Sequence, residues 1–193
     1  MLRKAGWKVS TPEFDVEGDR IRSVIAHTET GDPEKVVMAG AHLDSVEDGP
    51  GMNDNGSGSA ALLELAVRMG GFPRVTNQVR LAWWGAEEVD MDGSTHYVET
   101  LSRADQRKIA LYLNLDMVAS PNVGYLVEGK DGCDEDAADG SAEVARVLAE
   151  RLVLPPSMRC AGQRQRAGAG PIHRRSRGDR RLLRNIGLRS SRP

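Results

Sequence analysis

Residues 41–64, AHLDSVEDGPGMNDNGSGSAALLE, put one histidine and three aspartates into a loop rich in Gly, Asn and Ser. A loop that only reverses the chain needs Gly and Asn, which tolerate left-handed backbone. It has no use for His42, Asp44 and Asp54. Imidazole nitrogen and carboxylate oxygen are the donors that hold zinc, at about 2.0–2.2 Å. Asp44 lies two residues from His42, on the same side if the strand continues. It could bind a metal or accept the other ring N–H of a histidine. Asp54 sits among Gly49, Gly51, Gly56 and Gly58, where the backbone can approach an ion closely. Its two oxygens could bridge two cations.

Two later segments carry more of the same chemistry. QVRLAWWGAEE (78–88) runs into Glu87 and Glu88, and KIALYLNLDMVAS (108–120) carries Asp116. Side chains of adjacent residues diverge, so one glutamate can bind metal while the other faces a substrate water. Two metals about 3.5–4 Å apart, a bridging water and a glutamate general base make a hydrolytic centre. Each fragment alone has a plainer reading. His-x-Asp is commonly a surface pair, paired glutamates a solvated face, and DNGSG a turn with a helix cap. Three apolar runs that each end in a potential ligand favour the metal reading.

Those runs define the elements that must position the donors. Residues 7–16 and 21–28 read as strands joined by the turn EGDR. KVVMAGAH (35–42) is a continuous apolar run, as in a strand buried on both faces. Residues 78–88 and 108–120 read as two more buried strands. Residues 57–69, 93–101 and 141–152 read as helices, the first closed by Gly70 and Gly71. Alternating buried strands and helices imply an α/β fold with a mainly parallel sheet. Ligands in such sheets collect at the carboxyl ends of strands, where His42, Glu87, Glu88 and Asp116 fall. Trp83 and Trp84 read as core, and His27 and His96 as structural or surface residues.

The chain has 193 residues, enough for one domain with a sizeable core, and 39% of them are hydrophobic. Its net charge of −2 conceals two unlike parts. Residues 1–156 carry 15 basic and 27 acidic side chains, whereas 157–193 carry 11 arginines, no lysine and one acid. No apolar run is long enough to span a membrane, and the N-terminal residues lack the apolar core of an export signal. Nothing in the pattern calls for nucleic acid. Cys133 and Cys160 could pair but do not decide the redox compartment.

Taken in order, GAHLDSV…GPGMNDNGSGSAALLE, RLAWWGAEE and YLNLDM resemble the two-zinc aminopeptidases, the clan that includes secreted bacterial leucyl aminopeptidases and aminopeptidase Y. The likeness runs over about residues 36–122. It implies a three-layer α/β/α sandwich with a mixed, mainly parallel sheet, incomplete here at its C-terminal side. It also implies roles: His42 and Asp116 on the first zinc, Asp54 bridging both, Glu88 on the second. Glu87 would be the general base, and Asp44 would orient His42. Substrates would be peptides with a free N-terminus, and the location would be extracellular. The oligomeric state stays open. The family's downstream histidine for the second zinc has no counterpart motif, and His173 in PIHRRSRGD does not match one. No room exists for a protease-associated insertion near residues 13–29.

On this reading, residues 1–156 form a partial zinc peptidase core and 157–193 an atypical tail outside the native fold. The tail's composition is that of a GC-rich gene read out of frame. Codons for residues 170–185, shifted one base downstream, can encode Gly-Pro-Phe-Ile-Ala-Ala-Ala-Gly-Val-Thr-Gly-Gly-Ser-Phe-Ala-Thr, which resembles the family's C-terminal segment. Rival readings are a carboxypeptidase or dipeptidase of the same clan, and a catalytically inactive fragment.

Overall fold

The computed structural model describes residues 1–70, 74–119, 125–128, 141–151 and 187–190. A single 3-10 turn, Leu2–Ala5, leads into four short strands, Lys8–Ser10 (β1), Glu13–Val16 (β2), Asp19–Arg22 (β3) and Val24–His27 (β4). The long strand Asp32–His42 (β5) follows, then helix Gly58–Met69 (α1) and strand Asn77–Trp84 (β6). Helices Asp92–Thr100 (α2) and Arg103–Lys108 (α3) precede strand Ile109–Leu115 (β7). Strand Tyr125–Glu128 (β8), helix Ser141–Arg151 (α4) and strand Gly187–Ser190 (β9) complete the described elements.

Seven strands form one sheet in the order β1-β4-β6-β5-β7-β9-β8, and β2 and β3 form a separate ribbon. β5 runs parallel to β6 and β7, and β7 parallel to β9. The pairs β1–β4, β4–β6 and β8–β9 are antiparallel. The sheet is therefore mixed, with a parallel centre. Part of the arginine-rich segment, β9, pairs within it.

The alternation of side chains along β5 and β6 divides the core between two faces. On one face Ala39, Ala41, Leu81 and Trp83 pack with Leu62 and Ala66 of α1. On the other, Val36, Met38, Ala82 and Trp84 pack with Ile109 and Tyr112, and Tyr97 and Leu101 close over them. Helices thus cover both faces, giving the three layers. Burying a side chain such as Leu62 stabilises the fold by about 1.5–3 kcal/mol. Gly40 is required near the carboxyl end of β5, because a Cβ there would lie 2.4 Å from Tyr112 Oη.

Several boundaries differ from the sequence reading, and the third buried strand stops at Leu115 rather than running to residue 120. The first two expected strands are each split, at Thr11–Pro12 and at Ser23. Pro12 has no N–H for a ladder, and its carbonyl accepts from Ser23 N at 3.1 Å instead. The chain thereby leaves the main sheet as the β2–β3 ribbon, turned by Glu17 and Gly18 at positive φ. The second buried strand ends at Trp84 rather than running to Glu88. Helix α3 was not expected, although its sequence SRAD is a cap signal: Ser102 Oγ accepts from Asp105 N at 3.1 Å.

Candidate metal centre

His42 is the last residue of β5, and its side chain is 3% exposed. The parallel register fixes its surroundings. Leu43 N donates to Trp84 O at 2.7 Å, and Ser59 Oγ donates to His42 O at 2.6 Å. The imidazole is held from both sides, with Nδ1 3.0 Å from Asp44 O and Nε2 3.1 Å from Asp54 Oδ1. Asp116 follows β7 directly, and its Oδ1 lies 3.5 Å from His42 Nε2. Glu87 Oε2 is 3.9 Å from the same nitrogen.

Asp54 comes from the bend Met52–Ser57, which enters α1. Gly51 starts that bend at φ +63°, a left-handed conformation that suits glycine. The Asp54–Asn55 peptide bond is cis.

Glu87 and Glu88 lie beyond the end of β6, in a turn held on several sides. Gly85 N donates to Ser23 Oγ at 3.2 Å. Ala86, at φ +56°, packs against Phe14, Val16 and Ile21 of the β2–β3 ribbon. Met91 N donates to Glu87 O at 2.8 Å, and Asp92 N to Ala86 O at 2.9 Å. Glu88 N donates to Asp44 Oδ2 at 3.0 Å. Asp44 therefore holds two parts of the site at once. Its backbone carbonyl meets His42, while its carboxylate, 3.6 Å from His42 Nδ1, anchors the Glu88 turn.

A histidine among so many acids behaves unusually. Burial works against a charge on His42, but Asp116, Asp44 and Glu87 outweigh it and push the imidazole up to about 11. Burial and the nearby Asp54 carboxylate raise the Glu88 carboxyl. Against its own burial, Asp44 is held below its ordinary value by His42 and by the backbone N–H groups of Glu87 and Glu88. This is the field of a cation site. Ligand atoms of His42, Asp54 and Glu88 lie within 4.8 Å of one another. One nitrogen and several carboxylate oxygens form a donor set that fits zinc.

All six residues singled out in the sequence meet at the carboxyl end of the parallel strands. Trp83 and Trp84 are core, on opposite faces. His96 stacks on Phe14 at 5.1 Å, and His27 ends β4; neither is in the cluster. His173, Cys133 and Cys160 lie outside the described residues. Sequence reasoning passed over Asn55 and Ser59, both of which bond to the ligand-bearing strands. The signal was the polar run itself, which was read as turn chemistry.

The model of peptidase family M28 matches residues 23–159. The chain belongs to peptidase family M28. Among its relatives, the probable lipoprotein aminopeptidase LpqL of Mycobacterium tuberculosis is 52% identical over 142 residues, which are 70% of this chain and 28% of that protein. An aminopeptidase of Pseudomonas aeruginosa is 53% identical over 128 residues, 65% of this chain and 24% of that one. The solved structure of BSAP, a zinc aminopeptidase from Bacillus subtilis, superposes with a TM-score of 0.60 at 30% identity, covering 72% of this chain and 34% of that chain. The chain thus spans about a quarter of the length of these two curated relatives.

Proposed function

We propose that the chain carries the metal-binding part of a zinc aminopeptidase, which removes N-terminal residues from peptides. The observation that carries this reading is the convergence of His42, Asp54, Glu88 and Asp116 at one end of the sheet, with Glu87 beside them. His42, Asp54 and Asp116 would hold a first zinc, and Asp54 and Glu88 would serve a second. A metal held by these residues would supply Lewis-acid polarisation of a carbonyl and acidification of a bound water. Glu87 takes the proton of the attacking water at a side-chain oxygen and passes it to the departing amine. Acidic side chains around the centre favour a substrate bearing a free α-ammonium group. Asp44 keeps His42 and the Glu87–Glu88 turn in register. A place outside the cytoplasm fits the lipoprotein among the relatives.

A second reading has its own support. The family match ends at residue 159, close to where the composition changes, and no motif supplies a further histidine for the second zinc. On that reading the chain binds metal but turns over little substrate. Hydrolysis of leucine p-nitroanilide, compared with its N-acetylated form, tests the proposal. Zinc-dependent release from the free-amine substrate alone supports an aminopeptidase. Cleavage of blocked peptides points to a carboxypeptidase or dipeptidase instead. Zinc binding without hydrolysis of any of these substrates supports the impaired chain.

A further inference from the structure

Every polar atom of the Asn55 side chain is engaged by the segments that surround the metal centre. The residue is 1% exposed. Its Nδ2 donates to Leu115 O at 2.9 Å. Its Oδ1 accepts from Met117 N at 3.1 Å and from Gly58 N at 3.0 Å. Leu115 and Met117 flank Asp116, and Asp54 immediately precedes Asn55 in the chain. Gly58 opens helix α1. One side chain thus ties the segments bearing two of the proposed ligands to each other and to a helix.

The chemistry of this clasp is specific to an amide. It must donate at one end and accept twice at the other, which a carboxylate of the same shape cannot do when ionised. The space around it is equally particular. A Cβ at residue 58 would lie 2.4 Å from both Asn55 Oδ1 and Leu115 O, so only glycine admits the clasp. Gly58 and Asn55 are therefore two independent parts of one device. Residues that orient metal ligands through hydrogen bonds typically govern metal affinity by 10–100-fold.

Resting on the zinc reading above, we infer that Asn55 is a positioning residue. It sets the separation of Asp54 and Asp116 and thereby the geometry and affinity of the metal centre. The clasp acts on the segments that carry the ligands, and Gly58 leaves it the space it needs.

The test uses the full chain and three site variants, Asn55→Ala, Asn55→Asp and Gly58→Ala. Ile25→Ala is a control, since Ile25 is buried in β4 among the opposite core. Zinc affinity is measured by competition with a chromophoric chelator, and the visible spectrum of the cobalt-loaded protein reports ligand geometry. Asn55→Asp keeps the shape and both acceptor bonds, so it stays informative if Asn55→Ala does not fold. Each site variant should lose roughly 10–100-fold in zinc affinity and show an altered cobalt spectrum. Ile25→Ala should lower thermal stability with affinity and spectrum unchanged. Wild-type affinity and spectrum in Asn55→Asp and Gly58→Ala would overturn the inference, as would an equal change in Ile25→Ala. Failure of the unsubstituted chain to bind zinc would be distinct, since it removes the metal reading and the inference with it.

Discussion

At the scale of single residues, the two adjacent glutamates divide the labour. Glu87→Gln cannot accept a proton, so turnover should fall by about 10²–10⁴-fold. Zinc content, read by elemental analysis, should stay near that of the unsubstituted chain. Glu88→Gln should do the reverse first, lowering the zinc retained. An exchange of these two outcomes would reverse the assignment. The candidate donors His42, Glu87, Glu88 and Asp116 were legible in the sequence because they stood at or just past the ends of apolar runs, and Asp54 because it broke a run of turn residues. The role of Asp44 was only half legible. Spacing from His42 pointed to the imidazole, but the carboxylate also anchors Glu88 N, a residue 44 positions away, through a fold-made contact. Asn55 was illegible for the same reason: its partners Leu115 and Met117 lie about 60 residues downstream.

At the scale of elements, the β2–β3 ribbon is the support of the Glu87 turn. Phe14 and Val16 pack on Ala86, and Ser23 bonds Gly85. Phe14→Ala removes a buried aromatic, a change that costs about 3–5 kcal/mol in well-packed cores. The expected result is a lowered melting temperature together with reduced turnover per zinc-loaded chain, while zinc content holds. Unchanged turnover in the folded variant would detach the ribbon from the function of the Glu87 turn. Periodicity located β5, β6, β7, α1 and α2 to within a few residues, because their apolar runs are long. It failed where a proline or a single serine redirected the chain, as at Pro12 and Ser23. It also overran β6 and β7, since Gly85 and Ala86 after the one, and Met117 and Val118 after the other, continue the apolar pattern once the ladder has stopped.

At the scale of the whole molecule, the chain combines an acidic M28 core with a segment of opposite charge. Nothing about apolar periodicity predicted that four of its residues, Gly187–Ser190, would pair between β7 and β8. We propose that a frameshift between about residues 154 and 170 replaced the family-like C-terminal segment, and with it the second zinc's histidine. The encoding DNA, read one base downstream across residues 170–185, should then continue into a family-like segment; stop codons throughout that frame would dismiss the idea. The same proposal leaves the first zinc with His42, Asp54 and Asp116 but the second with two carboxylates. The central claim is that these strand-end residues hold zinc, and its most direct measurement is zinc per chain after exhaustive dialysis, for the unsubstituted protein and for His42→Ala. The expected result is about one tightly held zinc in the former, a second that dialyses away, and loss of the retained ion in His42→Ala. No zinc in the unsubstituted protein, or equal zinc in both, would contradict it.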